Sequence, residues 1–221
     1  MKNIALLFCI ILSNSSRAQV PVSKEPRHHV VLDNGEIRVL NVLIPPGDTT
    51  QYHLHTTPSV FINFTKTTTG SQVLNGQPST GTSAPGTIYF ENLAAPHNRI
   101  HRVWNVDTAA FHVMDIELLS KDTGFAQQPL ALTYSALLIN NPWVRAYKLH
   151  LGNAQLAAVN QRQSACILVA INDAAVHIVQ NGTEKATTVK AGDLFWIEPG
   201  GHFSIINTGN TVKDFALLEV K

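Results

Sequence analysis

The chain has 221 residues, with 16 lysines and arginines, 15 aspartates and glutamates and 10 histidines, for a formal net charge of +1 with histidine neutral. At 44% hydrophobic residues it carries enough apolar side chain to fold, as one large domain or two small ones. Its near-zero charge balance excludes an electrostatic basis for binding nucleic acid or an anionic membrane surface.

Taken in chain order, residues 1–18 read as a secretory signal peptide. Met1-Lys2 is a basic start, Ile4 to Leu12 an apolar stretch, and Ser16-Arg17-Ala18 a small-residue site that predicts cleavage after Ala18. That stretch is too short to span a bilayer, so the expectation is a periplasmic or secreted protein with no membrane span in the mature chain. Taking Lys2 and Arg17 from the 16 basic side chains leaves 14 against 15 acidic ones. Cys9 also goes, which leaves Cys166 as the lone thiol. A disulfide framework is thereby excluded, and burial must hold the fold. Cys166 itself opens an apolar run and reads as buried and inert.

After the signal peptide, short runs rich in Val, Ile, Phe and Thr alternate with Gly, Pro, Asn and Asp, which predicts an all-β barrel or sandwich. Strands are expected at Val39–Ile44, Val60–Thr65, Thr87–Phe90, Phe111–Leu119, Val144–Leu151, Cys166–Ile171, Val176–Gln180, Leu194–Ile197 and Phe215–Val220. Thr65–Thr82 reads as a hairpin or loop near the mouth. Pro129–Leu138 fits either a short helical turn or an extended connector.

The two halves match when laid side by side. Asn34-Gly35-Glu36-Ile37-Arg38-Val39 parallels Asn141-Pro142-Trp143-Val144-Arg145-Ala146, and Pro85-Gly86-Thr87-Ile88 parallels Ala191-Gly192-Asp193-Leu194. Each half ends in a strand carrying a glutamate, Glu117 or Glu219. The reading is two tandem copies of one β-unit, at 28–119 and 140–220, joined by a connector at 120–139 and packed against each other.

Chemistry concentrates in the first copy. His53-Leu54-His55 follows a strand, and side chains at i and i+2 of an extended segment share a face, so two imidazoles can reach one ion. A third ligand must come from elsewhere in the fold, and the turn Pro96 to Asn105 supplies His101.

These residues resemble the motifs of the cupin superfamily. Gly47, His53 and His55 fit the first motif, though its glutamate slot falls on Ser59 or Val60. Pro96, His101 and Asn105 fit the second, with Asn98 in place of a glycine. The resemblance implies two tandem cupin-type barrels of the double-stranded β-helix or jelly-roll kind, that is, a bicupin. It makes His53, His55 and His101 the ligands of one divalent transition metal, with Fe, Mn, Ni, Zn and Cu all open. It further implies a small-molecule metalloenzyme of dioxygenase or lyase/isomerase type, and a homodimer. In the second copy the equivalent of His-x-His falls on Ala158-Val159-Asn160, so that barrel is expected to be degenerate. A hydroxyl at Ser59 in place of a carboxylate leaves a bound dication more positive, which favours an anionic chelating substrate.

Two further residues are candidates for catalysis. His112 lies in phase with Met114, Ile116 and Leu118, which is expected to aim it into the first barrel as a proton-transfer group. Gln51 alternates onto the histidine face and is expected to orient substrate. His97 reads as rim, His28-His29 as a solvated arm, and His150 and His177 as parts of the degenerate copy. The competing reading keeps the fold and drops the metal: a non-catalytic barrel binding a sugar or organic acid, its histidines acting as hydrogen-bonders.

Overall fold

The computed structural model describes residues 19–221, and the signal-peptide reading lies outside them. A single turn of 3-10 helix, Val22–Lys24, is the one helical element among the described residues. No described helix is long and apolar enough to cross a membrane. The rest is strand and loop. In the first half the strands are β1 (Val20–Pro21), β2 (His28–Asp33), β3 (Ile37–Ile44), β4 (His53–His55), β5 (Ser59–Asn63), β6 (Thr67–Val73), β7 (Pro78–Ser83), β8 (Ile88–Glu91), β9 (Arg99–Asn105) and β10 (Phe111–Leu118). In the second they are β11 (Ser135–Asn140), β12 (Val144–Leu151), β13 (Leu156–Asn160), β14 (Ala165–Ala170), β15 (Ala174–Gln180), β16 (Thr183–Val189), β17 (Leu194–Ile197), β18 (His202–Asn207) and β19 (Lys213–Val220).

Each half builds two facing sheets. The first pair runs β1-β4-β9-β6-β7 and β2-β3-β10-β5-β8; the second runs β11-β12-β19-β14-β17 and β13-β18-β15-β16. Each Val/Ile/Phe-rich segment expected from sequence carries a strand, with ends that differ by no more than two residues. Thr65–Thr82 resolves as the β6-β7 hairpin. Pro129–Leu138 contains no helical turn; it stays irregular to Tyr134 and then enters β11.

Local chemistry explains where the repeated units start. Asn34 Oδ1 accepts from the backbone N–H of Glu36 and Ile37, and Asn141 Oδ1 accepts from Trp143 and Val144, so the same side-chain turn opens β3 and β12. The strands that follow pair with β10 and β19, which places Arg38 opposite Glu117 and Arg145 opposite Glu219. Both become ion pairs on a buried glutamate, at 2.9 and 3.5 Å, with Arg38 half-buried and Arg145 buried.

The apolar core is shared between the halves. Val60 and Ile62 of β5 and Met114, Ile116 and Leu118 of β10 pack in one cluster with Val144, Ile167, Val169, Leu218 and Val220 of the second half. A separate cluster fills the second pair of sheets, and a smaller one lies in the first. This division decides the faces of β10. Its even-numbered residues meet the other barrel, which leaves Val113 and Asp115 to face the interior of the first.

Candidate metal centre

The register of β4 against β9 puts His53 directly opposite His101. Opposed residues of an antiparallel pair share a face, and so do His53 and His55 by alternation, so all three imidazoles project from one sheet toward the other. One nitrogen from each lies within 4.8 Å of the other two. The facing sheet contributes Val42, Ile44, Phe61, Val113 and Asp115, and the cavity between them has a volume of about 80 Å³. Tyr89 stacks on Phe61 with ring centroids 5.0 Å apart and is 39% exposed, so it stands where the cavity meets solvent.

The ring nitrogens are held in a defined order. His53 Nδ1–H donates to the Gln51 carbonyl at 2.9 Å, which leaves its Nε2 buried with no hydrogen-bond partner. His55 Nε2 and His101 Nε2 face each other at 3.1 Å. His55 Nδ1 looks the other way, 3.5 Å from Asp115 Oδ2, too long for a good hydrogen bond. Burial pushes all three imidazoles toward the neutral form, His53 to about 4, His101 to about 3 and His55 to about 2, and charge on neighbouring histidines adds to the effect.

Asp115 is the least comfortable group in the barrel. Both carboxyl oxygens are buried without a good hydrogen bond. Loss of water, reinforced by Glu117, raises its pKa well above the usual carboxylate range, while the Ser59 hydroxyl pulls the other way. His55 and Asp115 are thus both driven toward their neutral forms rather than toward an ion pair.

These atoms fit a divalent transition metal. Three neutral imidazole nitrogens converge, one of them has no other partner, and a carboxyl stands behind a second ring. Carboxylates placed there fix the tautomer of a metal-bound histidine and raise its basicity. Cation charge at His55 would also relieve the desolvated carboxyl.

Two sequence expectations are corrected here. His112 does not enter this cavity: its Nε2–H donates to Asn41 Oδ1 at 2.6 Å, its ring packs 4.5 Å from Phe64, and Gly192 of the second half approaches it. Both faces of β10 are buried, so hydrophobic phase alone could not separate cavity from inter-barrel contact. Gln51 precedes β4 and its side chain is exposed; its backbone carbonyl, rather than its amide, serves the site. His97 is exposed, as a rim residue would be. Sequence reasoning missed Asp115 and took His28 for a solvated residue, yet His28 is buried and lines the cavity.

No protein-family profile matches the chain, and no curated protein matches it in sequence. Solved structures do match in fold. AerE from Microcystis aeruginosa superposes with a TM-score of 0.59 at 10% identity, covering 89% of this chain and 98% of that one. A mutant of salicylate 1,2-dioxygenase from Pseudoaminobacter salicylatoxidans, in complex with gentisate, gives 0.62 at 13%, covering 92% and 76%. YhaK from Escherichia coli gives 0.55 at 11%, covering 89% and 92%. These neighbours have cupin folds.

This chain has a cupin fold.

The second cupin barrel shows what the first has that is not architectural. Asn105 Nδ2 donates to the Ile44 and Ala109 carbonyls at 2.9 and 2.8 Å; Asn207 Nδ2 donates to Leu151 and Thr211 at 2.7 and 2.8 Å. Counting back four residues from each asparagine aligns His101 with Phe203. Val159 lies opposite Phe203 as His53 lies opposite His101, one residue on from Ala158, where counting from Gly152 puts the equivalent of His53. Counting back two from Glu117 and Glu219 aligns Asp115 with Leu217. Val159, Phe203 and Leu217 all belong to one buried apolar cluster. The second barrel therefore closes its interior with hydrocarbon where the first keeps imidazoles and a carboxyl. A larger open groove of about 660 Å³ lies on this half, beside Lys185 and Phe195, and contains no histidine; chemistry, not volume, marks the site.

Proposed function

We propose that this chain is an exported metal-binding bicupin, a small-molecule metalloenzyme of dioxygenase or lyase/isomerase type whose centre is His53, His55 and His101 in the first barrel. The observation that carries this reading is the convergence of three buried imidazoles, with His53 Nε2 unpartnered, beside a buried carboxyl with no good hydrogen bond. Three protein ligands leave positions open for a substrate or small ligand. A divalent ion held there would supply dioxygen activation or Lewis-acid polarisation of a carbonyl.

The protein's own groups do the rest. The Gln51 carbonyl orients His53 through Nδ1, and Asp115 stands 3.5 Å behind His55 Nδ1, where a metal-bound ring would have its acceptor. Val42, Ile44 and Val113 exclude water, which strengthens every polar contact inside. A space of about 80 Å³ admits two or three water-sized groups, so a substrate presents only its chelating end. Salicylate 1,2-dioxygenase, which shares the fold, is known with gentisate, itself a chelating hydroxy acid, and this supports the substrate class.

Elemental analysis of protein purified without a histidine tag tests the reading. The expected result is close to one transition metal per chain, lost in His53→Ala and His101→Ala, with a rise in thermal midpoint when metal is restored to the stripped protein. Metal-free protein that is indifferent to added divalent ions would leave the non-metal binding barrel as the better account.

A further inference from the structure

Four imidazoles line the cavity, and one has no part in the three-nitrogen cluster. His28 is buried, and its ring centroid lies 4.7 Å from that of His53. Its Nδ1 is 2.7 Å from Glu25 Oε2. Glu25 is buried as well, and both of its oxygens are already acceptors: Oε2 takes the Arg27 N–H at 2.6 Å and Oε1 the Gln51 N–H at 3.1 Å. A carboxylate in that setting can only accept. His28 must therefore donate from Nδ1, and in the neutral ring this leaves the Nε2 lone pair for the cavity.

The pair is tied to the histidine strand twice. Glu25 accepts from Gln51, the residue whose carbonyl holds His53, and β1 pairs in parallel with His53 and Leu54. The N-terminal segment is thus a wall of the site, and it offers a hydrogen-bond acceptor to whatever sits beside the triad. Of the remaining wall residues, Val42, Ile44, Phe61, Val103 and Val113 are apolar and offer none, the Thr50 hydroxyl already accepts from the Val103 N–H, and Asp115 stands behind His55.

We propose that His28, positioned by Glu25, selects ligands that carry a hydroxyl next to their metal-binding group, the hydroxyl donating its hydrogen to His28 Nε2. The class is the small α-hydroxy acid, whose carboxylate and hydroxyl chelate together and whose size suits the cavity. This inference rests on the reading that His53, His55 and His101 hold a metal. A site built around a hydroxyl discriminates strongly against the analogue that lacks it, because its acceptor is then buried unpaired.

The test uses the full chain loaded with Co²⁺, whose visible absorption reports changes in its ligands, titrated with glycolate and with acetate. Wild-type protein is expected to bind glycolate at least about tenfold more tightly than acetate. In His28→Leu the ratio should fall several-fold, toward the preference that chelation alone gives, with Co²⁺ affinity unchanged, and in Glu25→Gln it should narrow while the thermal midpoint reports an intact fold. Equal binding of the two acids by wild type, or an unaltered ratio in His28→Leu, overturns the proposal and spares the metal site. Loss of Co²⁺ from His28→Leu also overturns it, since His28 would then be a ligand. Wild type that takes up no Co²⁺ overturns the metal reading and this inference together.

Discussion

Asp115 and Leu217 occupy matching places in the two barrels, and the contrast measures what the site costs. A buried carboxyl lacking good hydrogen bonds is worth about 1–3 kcal/mol of lost stability, and the second barrel avoids this with a leucine that is 1% exposed. Asp115→Leu is accordingly expected to raise the thermal midpoint of metal-free protein. The same change removes the group behind His55 Nδ1 and should weaken metal binding roughly 10–100-fold. Calorimetry on stripped protein and competitive metal titration read the two effects separately. If the variant loses stability instead, Asp115 has a structural partner and the account of its cost is wrong.

At the level of single strands, the sheet that carries the histidines depends on one close approach. Gly70 of β6 lies opposite Trp104 of β9, and a Cβ at Gly70 would fall 2.0 Å from the indole ring. Arg102 lies 5.2 Å from the Tyr52 ring centroid and 5.6 Å from that of Trp104, and it bonds to Gln72, so the indole has little freedom to yield. Gly70→Ala should therefore cost about 1–3 kcal/mol and disturb β9, the strand of His101, with weaker metal retention as the second readout. An unchanged melting profile would show that the indole turns aside freely.

Strands were also where sequence spoke most clearly, and where it ran out. The His-x-His alternation and the turn before His101 were readable because strand period and turn residues set them directly. The phase of β10 was not. Met114, Ile116 and Leu118 look like an interior face by hydropathy, but their apolar partners belong to the other half of the chain. Asp115 was hidden by the same ambiguity, and His28 by the lack of any local pattern to show that a segment before the first long strand folds back over the cavity.

On the scale of the whole molecule, the two barrels keep interiors of their own but share a third core between them. The largest apolar cluster takes β5 and β10 from one half and β12, β14 and β19 from the other. Contacts at its edge are reciprocal: Gly192 approaches His112, and Gly86 approaches Lys148, which pairs with Asp214 at 3.3 Å. Heat should consequently unfold both barrels in one transition, with calorimetric and van't Hoff enthalpies equal. Two resolved peaks would mean that the halves are independent and that the shared cluster contributes little.

Asn105 and Asn207 bear on how such chains are recognised. Each amide bridges two backbone carbonyls around the same bend, and one bend sits beside three imidazoles while the other sits beside a phenylalanine. This asparagine therefore serves the bend and says nothing about the chemistry beside it. A search pattern that rewards it will find both barrels alike, and only the side chains facing the void distinguish them.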